Sequence, residues 1–173
     1  MSGYYYLGEA VGVLFGLALV FVLVKFMHKD LGMKAKYDER QNAIRGIAYK
    51  YSFFTVMIGN AVYMIFAELI NRFFKPEAFV SVIVALGILV YAGYSIFHEA
   101  YLGLNETPGR VIISFIIIAL INLAGGITQY AKGNVLEDEK VGIMSVNLTC
   151  GVLMLLIVFM ILIKKCMDKR EVD

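Results

Sequence analysis

The sequence predicts an all-α, polytopic membrane helix bundle with five transmembrane helices, the N-terminus outside and the C-terminus inside. Three observations carry that expectation. The chain of 173 residues is 60% hydrophobic, far above the roughly 45–50% of ordinary soluble domains. Its apolar residues gather in five runs that meet or approach the roughly 20 residues a helix needs to cross a hydrocarbon core about 30 Å thick. Charged residues, 17% of the chain, cluster between these runs. No separate soluble domain has the polar surface it would need, so residues 1–173 are read as a single transmembrane domain.

The first run covers residues 10–27. No basic residue precedes it, no small-residue cleavage pattern follows it, and a lysine-rich segment comes next, so it is expected to stay as an anchor that exports a short N-terminus. Gly8, Gly12 and Gly16 recur every fourth residue and lie along one stripe of a helix, where a second backbone can approach closely. That stripe predicts helix packing, within the chain or against a second copy in a homo-oligomer.

Residues 28–50 form the longest polar stretch. Asp38 is placed to cap a helix in which Ala43, Ile44, Ile47, Ala48 and Tyr51 recur at spacings of three and four, with Arg40, Gln41, Arg45 and Lys50 mostly elsewhere around it. The pattern predicts a cytoplasmic amphipathic segment over residues 37–50 running directly into the second span, 51–71. It serves either as an interfacial lead-in or as a docking surface for a cytoplasmic protein partner.

The remaining spans are predicted over residues 79–97, 111–130 and 143–163. Short loops join them, so neighbouring helices pack antiparallel, and Thr107-Pro108-Gly109 supplies turn chemistry. Tyrosines at 4, 5, 6, 49, 51 and 130 fall near span boundaries, as expected of rings with an apolar body and a polar tip.

Orientation follows from the basic residues, since short loops rich in lysine and arginine remain cytoplasmic. With the N-terminus outside, twelve of them fall inside and four outside, the latter being Arg72, Lys75, Lys132 and Lys140. The acidic Glu137-Asp138-Glu139 cluster also falls outside. The net charge of +2 and the absence of an independent basic module argue against nucleic-acid binding.

Three polar residues within the spans are candidates for a role. Asn60 and Asn122 sit near the middle of the second and fourth, where an unpaired amide is costly. They are expected either to hydrogen bond between helices or to line a polar cavity. Glu68, near the outer end of the second span, either pairs with Arg72 at i,i+4 or binds a proton or cation within the membrane.

The enzyme signatures are missing: there is no phosphate-binding glycine loop, serine elbow, zinc-protease helix or paired-cysteine motif. His28, His98, Cys166 and Glu99 share the inner level, yet they come from separate segments without ligand spacing, so neither metal nor cofactor is expected. Cys150 and Cys166 read as free thiols. Asp38, Glu39, Glu99 and Glu106 are expected to pair with Arg40, Arg45 and Arg110, tying the two inner loops together.

The run Tyr37-Asp38-Glu39-Arg40-Gln41, followed by Arg45-Gly46 and by Tyr49-Lys50-Tyr51-Ser52-Phe53-Phe54, resembles a family of small integral membrane proteins of Gram-positive bacteria, a domain of unknown function. A second patch, from Glu99-Ala100-Tyr101 to Leu104-Asn105-Glu106, is similar to that family's aspartate-alanine-tyrosine segment, with glutamate in place of the first acid. The resemblance implies a multi-pass protein of the bacterial cytoplasmic membrane and a shared cytoplasmic face. The resulting expectation is a non-enzymatic protein-interaction or regulatory component whose docking face is built from Asp38, Glu39, Arg40, Gln41, Arg45, Glu99 and Glu106. A small transporter or channel lined by Asn60, Asn122 and Glu68 is the alternative, and a lipid-modifying enzyme the third.

Overall fold

The computed structural model describes residues 36–133, 136–137, 140–142 and 145–170. The predicted first span and its glycines Gly8, Gly12 and Gly16 lie outside the described residues, as do His28 and the acids at 138 and 139. Within the compact unit Tyr37–Asp173 run four helices: α1 (Glu39–Ile70), α2 (Pro76–Phe97), α3 (Pro108–Ala131) and α4 (Val146–Arg170). All four are long and apolar enough to cross a membrane.

Helix α1 begins where local chemistry dictates. Asp38 accepts a hydrogen bond from the Gln41 backbone N–H at 2.6 Å, and the Gln41 side chain accepts one back from the Asp38 N–H at 3.3 Å. This reciprocal capping box satisfies two donors that the first turn otherwise leaves orphaned. The helix then runs unbroken from the polar segment into the apolar one, with a kink at Phe66 (φ −107°, ψ 20°). Its 32 residues measure about 48 Å at 1.5 Å per residue, which exceeds the hydrocarbon thickness by several turns. Helices α2 and α3 each start at a proline in the first turn, where the missing N–H costs nothing.

In space the order is α1, α2, α4, α3: α2 packs against both α1 and α4, and α3 packs against α4. Glycines permit the close contacts. A Cβ on Gly87 would stand 2.5 Å from Val56 Cγ2, and one on Gly59 would stand 2.7 Å from Ile83 Cγ2, a reciprocal fit that locks α1 to α2. The pair of α3 and α4 repeats the device, with Gly126 against Leu148 and Gly151 against Leu123. The buried cluster between α2 and α4 is wholly aliphatic: Ala92, Ile96, Leu153, Ile157 and Ile161.

The outward faces are as apolar as the interior. Met64 and Ile65 on α1 are each 75% exposed, and Ile121 on α3 is 66% exposed. Apolar surface this extensive suits a lipid environment.

Successive helices alternate in direction, so the molecule has two ends. At one end the α1–α2 connection meets the α3–α4 connection, which carries a minimal hairpin, β1 (Leu136–Glu137) paired antiparallel with β2 (Lys140–Val141). The Val141 N–H donates to Phe73 O and the Lys75 N–H to Val141 O, both at 2.9 Å. The described structure is all-helical, as expected, apart from this two-residue-per-strand hairpin. The opposite end gathers the start of α1, the α2–α3 loop and the end of α4.

Candidate functional site

That opposite end brings the two sequence patches together. Helix α2 finishes in a Schellman turn: the Ala100 N–H donates to Ser95 O at 2.8 Å and the Glu99 N–H to Ile96 O at 3.1 Å. Closing this turn requires a left-handed residue at Glu99, whose φ is +61°. Glycine usually fills such a position because a Cβ is strained there. Glutamate at this position carries a backbone strain that glycine would not.

Gln41 is the centre of the junction. Its amide nitrogen donates to the Glu99 carbonyl at 3.0 Å and to the Leu102 carbonyl at 3.2 Å, and Gln41 is buried. One side chain thus caps α1 and fastens the loop that follows α2. The loop is closed upon itself by Glu106, whose carboxylate accepts the Gly103 N–H at 2.8 Å.

Charge completes the joint. The Glu99 carboxylate lies 3.6 Å from Arg40 and 3.2 Å from Lys164, while Lys164 also reaches Asp168 at 2.6 Å. Three helix ends, those of α1, α2 and α4, therefore meet at Glu99. The expected pairing between the two inner patches is present as Arg40 with Glu99. Arg45 and Arg110 make no ion pair among the described residues, and Glu39 stays exposed.

From sequence, Lys164 serves only as an orientation signal. Nothing in its Lys164-Lys165 run announces a partner 65 residues away, because the pairing depends on α4 packing against α2. Gln41 carries a legible signal, since it stands three residues after the capping Asp38, but its second role toward Glu99 and Leu102 has none.

Beside the junction lies an open recess of about 260 Å³ lined by Ile96, Tyr101, Leu102, Leu104 and Ile161, with Gln41 and Glu99 on its polar margin. Leu104 is 68% exposed. Burial holds the Tyr101 hydroxyl well above its ordinary pKa, so the phenol is a neutral donor throughout the physiological range.

The intramembrane polar residues do not assemble. Asn60 donates to Val56 O at 2.8 Å and Asn122 to Ile118 O at 2.9 Å, so each amide bonds back to its own helix. They stand on α1 and α3, the two outer helices of the row. The two amides do not bond to each other or to another helix among the described residues. Glu68 and Arg72, both described, form no ion pair with each other, because α1 ends at Ile70 and the i,i+4 relation needs a helix that continues through Arg72.

No group of three or more histidines, cysteines or carboxylates able to hold a metal occurs among the described residues. No family model, no curated protein and no solved structure matches this chain. The functional reading therefore rests on the geometry of the junction.

Proposed function

We propose that this chain is a non-enzymatic, multi-pass component of the bacterial cytoplasmic membrane, with its N-terminus outside and its C-terminus inside. Its cytoplasmic junction serves as a rigid docking platform for another protein. The observation that supports this reading most is the Gln41 side chain, which joins the capped start of α1 to the Glu99 and Leu102 carbonyls. A platform whose loop is fixed in advance loses little conformational entropy on association. The neighbouring recess offers the apolar pocket with polar margin in which a partner's anchor side chain is desolvated.

The platform is narrower than the seven residues singled out from sequence. Asp38, Gln41 and Glu106 are consumed in holding the backbone, and Arg40 and Glu99 hold each other. Leu104, Tyr101 and the exposed Glu39 remain to meet a partner. The transporter alternative draws no support from Asn60, Asn122 and Glu68, which sit apart on the two outer helices.

A photo-crosslinking residue placed at Leu104 in native membranes tests the reading. A discrete adduct is expected there and not from the same residue at Ile65, which faces outward on α1. Gln41→Leu should abolish the Leu104 adduct by releasing the loop while leaving the helices inserted. Equal, diffuse labelling at both positions would remove the platform.

A further inference from the structure

Among the described residues, the junction leaves one arginine of α1 without a carboxylate. Arg45 lies one helical turn beyond Gln41, half-buried, with its guanidinium carbon 3.7 Å over the Tyr37 ring. The phenols of Tyr37, Tyr49 and Tyr91 surround it closely enough to interact with it, and the Tyr49 and Tyr91 rings are themselves in contact at 4.5 Å between centroids. The salt bridges among the described residues join Arg40, Glu99, Lys164 and Asp168, and none reaches Arg45. A guanidinium partly withdrawn from water, with aromatic rings and no carboxylate beside it among the described residues, keeps the charge and fork geometry that suit it to an anion.

The depth of the cluster says which anion. Tyr49 and Arg45 precede the apolar run at Tyr51 by two and six residues, or about 3 and 9 Å along the helix axis. Those heights span the headgroup layer, which is roughly 5–7 Å thick on each side of the bilayer. The Tyr37 ring covers a flat face of the guanidinium, and hydrogen bonds to the Tyr37 and Tyr49 hydroxyls take up part of its edge, leaving others of its five N–H groups for phosphate. The Tyr91 hydroxyl is tied to Tyr49, and the Tyr37 and Tyr49 hydroxyls add neutral donors at the same level. Residues 36–50 carry Lys36, Arg40, Arg45 and Lys50 against Asp38 and Glu39, so the surroundings select for a lipid with net negative charge.

We propose that Arg45, with Tyr37, Tyr49 and Tyr91, binds the phosphate of an anionic phospholipid headgroup. This site differs from the protein-docking recess beside Leu104 and does not depend on it. A soluble phosphate ester offers the same phosphate chemistry, and the placement at the apolar boundary assigns the site to lipid.

The full chain, purified in mild detergent, gives the test through bound lipid measured by native mass spectrometry and through the thermal midpoint with added phosphatidylglycerol, phosphatidylcholine or glycerol phosphate. Phosphatidylglycerol should be retained and should raise the midpoint, whereas phosphatidylcholine and glycerol phosphate should do neither. Arg45→Gln should weaken phosphatidylglycerol binding about tenfold or more, as expected on losing a charge-assisted bidentate contact. Arg45→Lys should fall between, and Arg110→Gln, exposed and away from the cluster, should match the wild type. Should Arg45→Gln fail to fold, Tyr49→Phe keeps the ring contact with Tyr91 and removes only a hydroxyl, and it too should bind more weakly. Undiminished binding in these variants, equal binding of phosphatidylcholine, or saturation by glycerol phosphate alone would each overturn the proposal.

Discussion

Glu99 combines two opposed effects in one residue. Its left-handed backbone costs about 1 kcal/mol relative to glycine, and its carboxylate links Arg40 and Lys164 across three helix ends. Both side chains of the Arg40 pair are more than half exposed, so salt screens much of that attraction. Glu99→Gly is therefore expected to be close to neutral in thermal unfolding at low ionic strength. At high ionic strength it should become stabilising, because the relief of strain survives screening and the lost ion pairs do not. Glu99→Lys should destabilise at low salt by placing three cations together, and salt should partly restore it. The intramembrane amides predict the opposite of a functional site. Among the described residues Asn122 bonds only to its own helix, so Asn122→Leu should change the unfolding midpoint by no more than the equivalent of about 0.5 kcal/mol. A large loss would mean that the amide serves an interaction not seen among the described residues.

At the scale of the helices, glycine placement decides which faces meet. Gly126 sits where a Cβ would fall 2.5 Å from two Leu148 side-chain carbons and 3.0 Å from the Leu148 backbone nitrogen. Backbone cannot retreat as a side chain tip can, so Gly126→Ala should part α3 from α4 and cost about 1–3 kcal/mol. Gly46, on the polar part of α1, has nothing within 4 Å of the place a Cβ would take. There the same change should stabilise by about 0.5–1 kcal/mol through helix propensity alone. Thermal unfolding of both variants in one detergent compares the two directly. This contrast also shows how far the sequence could be read. Hydropathy located every described helix to within a few residues of its apolar stretch, apart from the polar lead of α1 and the polar tail of α4, because the bilayer's thickness imposes a length that composition reveals. Asp38 was legible as a cap because capping is local. The reciprocal packing of Gly59 and Gly87 was not, since neither glycine belongs to a repeating small-residue stripe and each matters only through a partner helix. The Glu99 junction was legible as two charged patches, whereas its Lys164 arm required knowing that α4 lies beside α2.

For the molecule as a whole, the two ends differ in chemistry. The junction end holds a network of buried amide, ion pairs and a rigid loop, while the hairpin end is closed mainly by backbone bonds between Phe73, Lys75 and Val141 and by ring contacts of Phe79 with Tyr63 and Phe74. Alternating helix directions place Arg110 and Lys164 at the first end and Arg72, Lys132 and Lys140 at the second. In the proposed orientation the junction end, on the side richer in lysine and arginine, faces the cytoplasm. Single cysteines test this in a background where Cys150 and Cys166, both free thiols, are replaced by serine. Arg110 and Lys132 are exposed at opposite ends of the same helix, α3, so labelling there is independent of how many spans precede α1. In intact cells, Lys132→Cys should react with a membrane-impermeant maleimide and Arg110→Cys only after permeabilisation. The reverse pattern would turn the junction outward, and with it would go the cytoplasmic partner, because the platform and its recess would then face the cell exterior.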